Sequence, residues 1–321
     1  MSRNEPVKVA VLDDFQNVAP RMGDWGRLAP RAAVTFYTDN VTGEALLARL
    51  QPYDVVMVIR ERTRFPREVI ERLPNLKLLI TAGMRNLAID MEACKARGIT
   101  VCGTDTGSSP TAELAFGMLL ALSRNMLAED ASLRAGNWQT QRIGFGVKGL
   151  TLGILGLGRL GAAMAGYAKA FGMDVVAWSQ NLTDDRAAAA GARRVEKAEL
   201  FRVADFVSLH LILSQRTQGI VGAAEFGLMK PSAFLINTSR AGLLDENALI
   251  SALEGQRIAG AALDVYNEEP LPATARVVRA PNTILTPHLG YATADSFKFY
   301  FPHAVENIEA WLAGNPVRVL G

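Results

Sequence analysis

TLGILGLGRLG, residues 151–161, couples an apolar run to three glycines spaced Gly156-x-Gly158-x-x-Gly161. Thr151–Leu155 has the length and branching of a buried strand. Beyond it Leu160, Met164, Ala168 and Phe171 recur at spacings of four, four and three, one apolar stripe along a helix that stops at Gly172. A second apolar run, Asp174–Trp178, follows. A glycine triplet alone also serves tight turns, but between a strand and a helix it has a mechanism. The first glycine turns the chain, the second lets backbone approach a phosphate, and the third lets the helix pack on the sheet. Amides at Arg159 and Leu160, where the helix begins, then face a dinucleotide pyrophosphate.

The same alternation runs through the rest of the chain. Val7–Leu12, Val55–Ile59, Leu76–Thr81, Asp205–Leu211, Ala233–Asn237, Ile258–Asp264 and Thr283–Thr286 are short apolar runs separated by helix-like stretches. They are near-continuous rather than alternating, as strands covered on both faces are, so an α/β fold with parallel sheets is expected. Pro and Gly fall between elements, as at Gln51-Pro52, Lys230-Pro231 and Glu269-Pro270, and Pro272 to Pro281 reads as a surface loop.

With 321 residues, 49% hydrophobic and 21% charged, the chain has material for two cores. Its 34 basic and 32 acidic residues are interspersed and leave a net charge of +2, which argues against a nucleic-acid surface or a polybasic membrane patch. The opening MSRNEPVKVA lacks the apolar core of a signal peptide, and no run nears the roughly 18 residues of a membrane span. Cys94 and Cys102 form no CxxC pair and read as buried thiols of a cytoplasmic protein. Neither a disulfide nor a metal site is expected.

Three polar clusters follow apolar runs downstream: Asn237-Thr-Ser-Arg240, Asp264-Val-Tyr-Asn-Glu-Glu269 and Thr286-Pro-His288. Each should sit at the carboxyl edge of one sheet, where open α/β folds bind ligands. A guanidinium fork, a carboxylate and an imidazole that titrates near neutral pH suit proton transfer beside an anion. Singly, Arg240 fits a surface ion pair, Glu269 a solvated loop and His288 a core histidine; arrival at successive strand ends favours chemistry. One carboxylate is missing. About 20 residues past such a glycine turn an Asp or Glu usually takes the ribose, and here Trp178-Ser179-Gln180-Asn181 stands in its place. These polar residues either cap the strand beside NAD or accommodate a 2′-phosphate, with Arg186, Arg193 or Arg194 assisting. The cofactor expected is therefore NADP or NAD.

From Lys8 to about Trp311 the chain resembles the D-isomer-specific 2-hydroxyacid dehydrogenase family. LGILGLGRLG, DFVSLHLILSQRT, LMKPSAFLINTSRAGLLDENAL, AALDVYNEEPLP and TPHLGY carry the resemblance, in the family's order. It implies two Rossmann/flavodoxin-like domains with parallel sheets, the cofactor domain (107–292) being inserted into a substrate-binding domain made of 1–106 and 293–321. An insertion of that kind accounts for a glycine turn in mid-chain. The resemblance implies three catalytic residues: His288 as acid and base, Glu269 as its partner and Arg240 as the substrate anchor. The cofactor set it implies is Gly156, Gly158, Arg159, Leu160, Gly161, Ser179, Gln180, His210, Thr217, Thr238, Asp264 and Gly290, with Asp264 on the nicotinamide carboxamide. Backbone amides around Gly83, Met84 and Arg85 would take the substrate carboxylate. The helix over Ala112–Leu122, too apolar for a surface helix, would join two copies into a homodimer; His303 is expected to be structural.

Departures are visible too. Arg85 replaces the family's second loop glycine, Leu87 its aspartate, and Ile212 the proline after the strand-end histidine. Arg60, Arg62 and Arg64 read as a solvated basic loop rather than a phosphate site. The activity implied is hydride transfer between a nicotinamide and C2 of a small D-2-hydroxy or 2-keto acid. The alternative is a non-catalytic, NAD(P)-sensing corepressor-like protein on the same fold. Glu269 speaks against formate oxidation, for which the family uses glutamine and no proton transfer.

Overall fold

The computed structural model describes residues 5–107 and 110–321. The chain divides into two compact units, Met1–Ser108 with Ala292–Gly321, and Ser109–Tyr291. The first is built on five parallel strands: β1 (Val7–Val11), β2 (Ala32–Phe36), β3 (Val55–Val58), β4 (Leu78–Thr81) and β5 (Thr100–Cys102), in the order β2-β1-β3-β4-β5. Every residue of β3 and β4 is buried, which is why VVMV and LLIT show no in-out alternation. Helix Ala294–Leu312 completes this unit and buries Tyr300 and Phe301. The two chain segments are laced together: Gly103 N–H donates to Arg318 O at 2.9 Å, and Leu320 N–H to Val101 O at 2.8 Å.

The loop after β3 differs from its sequence reading. Arg62 is not solvated: it is 9% exposed, its Nη1 donates to Asp13 O at 2.6 Å, and its guanidinium lies 4.8 Å from the centre of the Phe15 ring. Asp13 is itself buried and accepts from Asn40 Nδ2 and Thr63 Oγ1, both at 2.7 Å. The arginine thus braces the loop after β1. Arg64 is exposed, as a solvated loop residue is.

The second unit carries seven parallel strands: β6 (Thr151–Leu155), β7 (Asp174–Trp178), β8 (Arg193–Arg194), β9 (Phe206–Leu209), β10 (Phe234–Asn237), β11 (Gly260–Leu263) and β12 (Thr283–Leu285). Their order is β12-β11-β10-β9-β6-β7-β8. The chain leaves β6 towards β7 on one side and later resumes at β9 on the other. Such a reversal opens a crevice at the carboxyl ends of the two central strands. Helices α1 (Pro110–Ser123), α2 (Met126–Arg134) and α3 (Arg159–Ala170) precede or follow β6.

Helix α1 is covered largely by its own unit. Ala112, Ala115, Phe116, Met118, Leu119 and Leu122 are all buried in the core of their own unit, together with Leu152, Ile154, Met164 and Ile236. Burial within one chain therefore accounts for the apolarity of this helix without reference to a second copy. Exposed apolar side chains lie further on, at Met126, Leu127, Leu133, Trp138 and Ile143. The stretch Pro272–Pro281 is likewise more than a surface loop, since it contains a short helical turn, Arg276–Arg279, whose Val277 is fully buried. Among the described residues no helix is long and apolar enough to cross a membrane.

Candidate active site

The glycine turn is formed at the end of β6, and each glycine meets a different demand. Gly156 has φ +107, and a Cβ there would lie 2.6 Å from the carbonyl carbon of His210 at the end of β9. A Cβ on Gly161 would collide with the carbonyl oxygen of Gly156, so α3 packs on the turn only because no side chain intervenes. Nothing lies within 4 Å of the position a Gly158 Cβ would take. Gly158 is exposed and caps α3 without a side-chain hydrogen bond, leaving the first amides of the helix to an outside acceptor.

Two buried polar atoms on this edge lack a protein partner among the described residues: Thr238 Oγ1, just past β10, and His210 Nδ1, just past β9. His210 Nε2 is 2.8 Å from Ser208 Oγ, and burial pushes the imidazole down to about 4, so the ring is neutral near pH 7. An open glycine, free helix amides and two orphaned polar atoms along one crevice fit a dinucleotide. Ser179, at the end of β7, accepts from Leu157 N–H at 3.0 Å and so buttresses the turn, leaving its own proton for a ribose oxygen or a phosphate. Gln180 and Asn181 beside it are exposed. Arg193 and Arg194 make solvent-exposed ion pairs with Glu199 and Glu196, at 3.0 Å and 3.5 Å; Arg186 is exposed. Thr217 is occupied inside its own loop, donating to Ile212 O at 2.7 Å and accepting from Ser214 N–H at 2.8 Å.

On the same edge His288 Nδ1 and Glu269 Oε2 are 2.6 Å apart, with 13% and 20% of their side chains exposed. Burial raises the Glu269 carboxyl, but the His288 hydrogen bond and charge, the Tyr266 amide and the Arg240 charge outweigh it and hold Glu269 below its ordinary range. Arg240 therefore belongs to the same cluster. Its loop is pinned from beneath by Asn237, which is fully buried, donates to Arg240 O at 3.0 Å and accepts from Ser239 N–H at 3.1 Å. Arg240 Nη1 donates to Ser239 O at 2.6 Å, which orients the fork.

His288 sits at φ +53, in the left-handed region that side chains larger than glycine avoid. Its neighbours hold it there. Asp264 Oδ1 accepts from Thr286 Oγ1 at 2.6 Å and Leu289 N–H at 2.7 Å, and Oδ2 from Gly290 N–H at 2.8 Å. Thr111 Oγ1 donates to Gly290 O at 2.7 Å. Asp264 and Gly290, expected on the cofactor, thus carry the histidine loop; burial raises the Asp264 carboxyl against its three donors. The Tyr291 ring stands edge-on to the imidazole at 5.4 Å. Among the described residues no group of three or more His, Cys, Asp or Glu is placed to hold a metal ion.

In the first unit, the loop after β4 places Gly83 at φ +90, where a Cβ would collide with the Arg60 guanidinium. Gly83 N–H donates to Thr104 Oγ1 at 3.0 Å, so this amide supports the loop and is withdrawn from any ligand. Met84 and Arg85 are exposed. Their amides meet no acceptor among the described residues.

A model of the D-isomer specific 2-hydroxyacid dehydrogenase NAD binding domain matches residues 116–290. The chain belongs to the D-isomer specific 2-hydroxyacid dehydrogenase family. It is 36% identical over 278 residues to a glyoxylate reductase of Thermococcus litoralis, covering 84% of this chain and 83% of that one. It is 38% identical over 278 residues to a D-3-phosphoglycerate dehydrogenase of Methanocaldococcus jannaschii, covering 86% of this chain but 53% of the relative, so it spans about half the length of that protein. A phosphoglycerate oxidoreductase from Vibrio cholerae superposes with a TM-score of 0.90 at 37% identity, covering 96% of this chain and 99% of the other.

At this site sequence reasoning overlooked Thr111, Thr286, Thr104 and Tyr266. Each acts through hydrogen bonds to a loop that its own neighbours in sequence do not reveal. The cradle gives a paired prediction. Gly161→Ala should lower stability by about 1–3 kcal/mol, the usual cost of forcing an atom into filled space, and weaken cofactor binding with it. Gly158→Ala should leave the melting temperature unchanged yet weaken NADH and NADPH, because its methyl enters the space that a pyrophosphate would need. Thermal melts and fluorescence titrations on both variants check this; equal losses of stability would contradict it.

Proposed function

We propose that this chain is an NAD(P)-dependent oxidoreductase that transfers hydride between a nicotinamide and C2 of a small D-2-hydroxy or 2-keto acid. The observation that carries the reading is the Glu269–His288 contact of 2.6 Å on the ligand edge of the sheet, with Arg240 in the same electrostatic cluster. Bound nicotinamide would supply the hydride in reduction and receive it in oxidation. As C2 gains it, the carbonyl π pair moves to oxygen, and His288 gives that oxygen a proton from Nε2. Nδ1 is committed to Glu269, which fixes the tautomer and orients the ring. The Arg240 fork pairs with the acid's carboxylate and carbonyl oxygen, where negative charge grows. In oxidation His288 takes the hydroxyl proton and the same contacts run in reverse.

Two cofactors are consistent with Ser179 and with the lack of a carboxylate at the end of β7. The amides of Met84 and Arg85, which the family resemblance gives to a substrate carboxylate, are open in their own unit. Rates with NADH and NADPH against glyoxylate, hydroxypyruvate, pyruvate and phenylpyruvate test the reading. Turnover of at least one acid, with NADPH used within about tenfold of NADH, is the expected result. Tight cofactor binding without turnover of any 2-keto acid would overturn it in favour of a cofactor-sensing protein.

A further inference from the structure

Tyr266 lies on the segment after β11 with its ring buried. Its hydroxyl is 3.0 Å from Leu263 O and 3.0 Å from Thr286 O, so its single proton is shared between two carbonyls. Both acceptors already serve the histidine turn. Leu263 O takes the Thr286 amide at 3.0 Å, and Thr286 O takes the His288 amide at 2.9 Å. Tyr266 also donates its own N–H to Glu269 Oε1 at 2.9 Å. One residue therefore contacts both halves of the catalytic pair: its main chain holds the carboxylate, and its hydroxyl holds the peptide that shapes the His288 backbone. Burial, with the Asp264 and Glu269 charges nearby, pushes the phenol up, so it remains a donor at working pH.

We propose that the Tyr266 hydroxyl positions His288 for proton transfer, acting through the Thr286 carbonyl to fix the left-handed backbone and hence the contact with Glu269. The inference rests on the role given to His288 under the proposed function. Packing does not call for the hydroxyl, because a phenylalanine ring fills the same volume. What the oxygen adds is a tie between the ends of β11 and β12 at the point where the His288 backbone turns.

Tyr266→Phe removes that tie and keeps the ring. The kcat for 2-keto acid reduction should fall about five- to tenfold, the size of one net hydrogen bond, with KM for the acid within about twofold of wild type. Amide exchange at 288–290, measured without substrate, should quicken by about the same factor as kcat falls. Tyr53→Phe is the control: it deletes a hydroxyl bonded to Tyr37 Oη at 2.7 Å in the other unit and should leave all three readouts unchanged. Wild-type kcat in Tyr266→Phe would overturn the proposal, even with a lowered melting temperature. Unchanged exchange at 288–290 would overturn it whether or not any acid is turned over. A wild-type protein without turnover would count against the proposed function instead.

Discussion

His288→Asn should lower kcat for 2-keto acid reduction by about 10²–10⁴-fold, the range for removing a general acid, while NADH and NADPH affinities stay at wild-type values. Asparagine suits this test because the position has φ +53 and asparagine enters the left-handed region more readily than most side chains. Its amide can also donate to Glu269, so the loop keeps a tether and loses only the titrating proton. Rapid-mixing rates with cofactor titrations on the same preparation separate the two effects. A variant retaining more than about a tenth of wild-type kcat would remove His288 from the chemistry. Glu269→Gln tests the pair from the other side. The carboxylate is held in its charged form by His288 and Arg240. Glutamine keeps an acceptor for the imidazole and removes the charge, so kcat for reduction should fall by about tenfold, the size of one hydrogen bond to a charged group, with cofactor affinities unchanged.

Arg240→Ala should cost about 10²–10³-fold in kcat/KM for the acid, corresponding to the loss of charged hydrogen bonds worth about 1.5–3 kcal/mol each. KM should carry part of the loss, because the carboxylate is held before reaction. The rest should appear in kcat, because charge builds on the carbonyl oxygen only as hydride arrives. Arg240→Lys should recover little, since one ammonium cannot reproduce a planar fork held at 2.6 Å to Ser239 O. A panel of both variants against two acids of different size checks the assignment: a fork on the shared 2-keto carboxylate should cost both acids alike, and a loss confined to one acid would place Arg240 on its side chain.

Much of this site could be read in the sequence, because its elements are local. The turn after β6 follows from glycine spacing against a helical stripe, and Arg240, Glu269 and His288 follow from polar clusters at the ends of apolar runs. What sequence could not supply were bonds between distant residues. The bonds from Leu289 and Gly290 to Asp264 were hidden because they span 25 and 26 positions. Arg62 looked solvated because Asp13, whose carbonyl it holds, lies 49 positions away. Helix α1 is a different case. Uniform apolarity shows that a helix is covered, and periodicity cannot tell cover by its own chain from cover by another.

The Thr111–Gly290 bond joins residues 179 positions apart. Its consequence is topological. Asn307 must find Gly103 across 204 residues to close the first unit, and the entropy of joining such distant points grows with the logarithm of the intervening contour. Once the inserted unit has folded, its entry and exit are pinned side by side, and almost all of that contour drops out of the search. The discontinuous unit then meets a polymer problem little harder than closing a short loop.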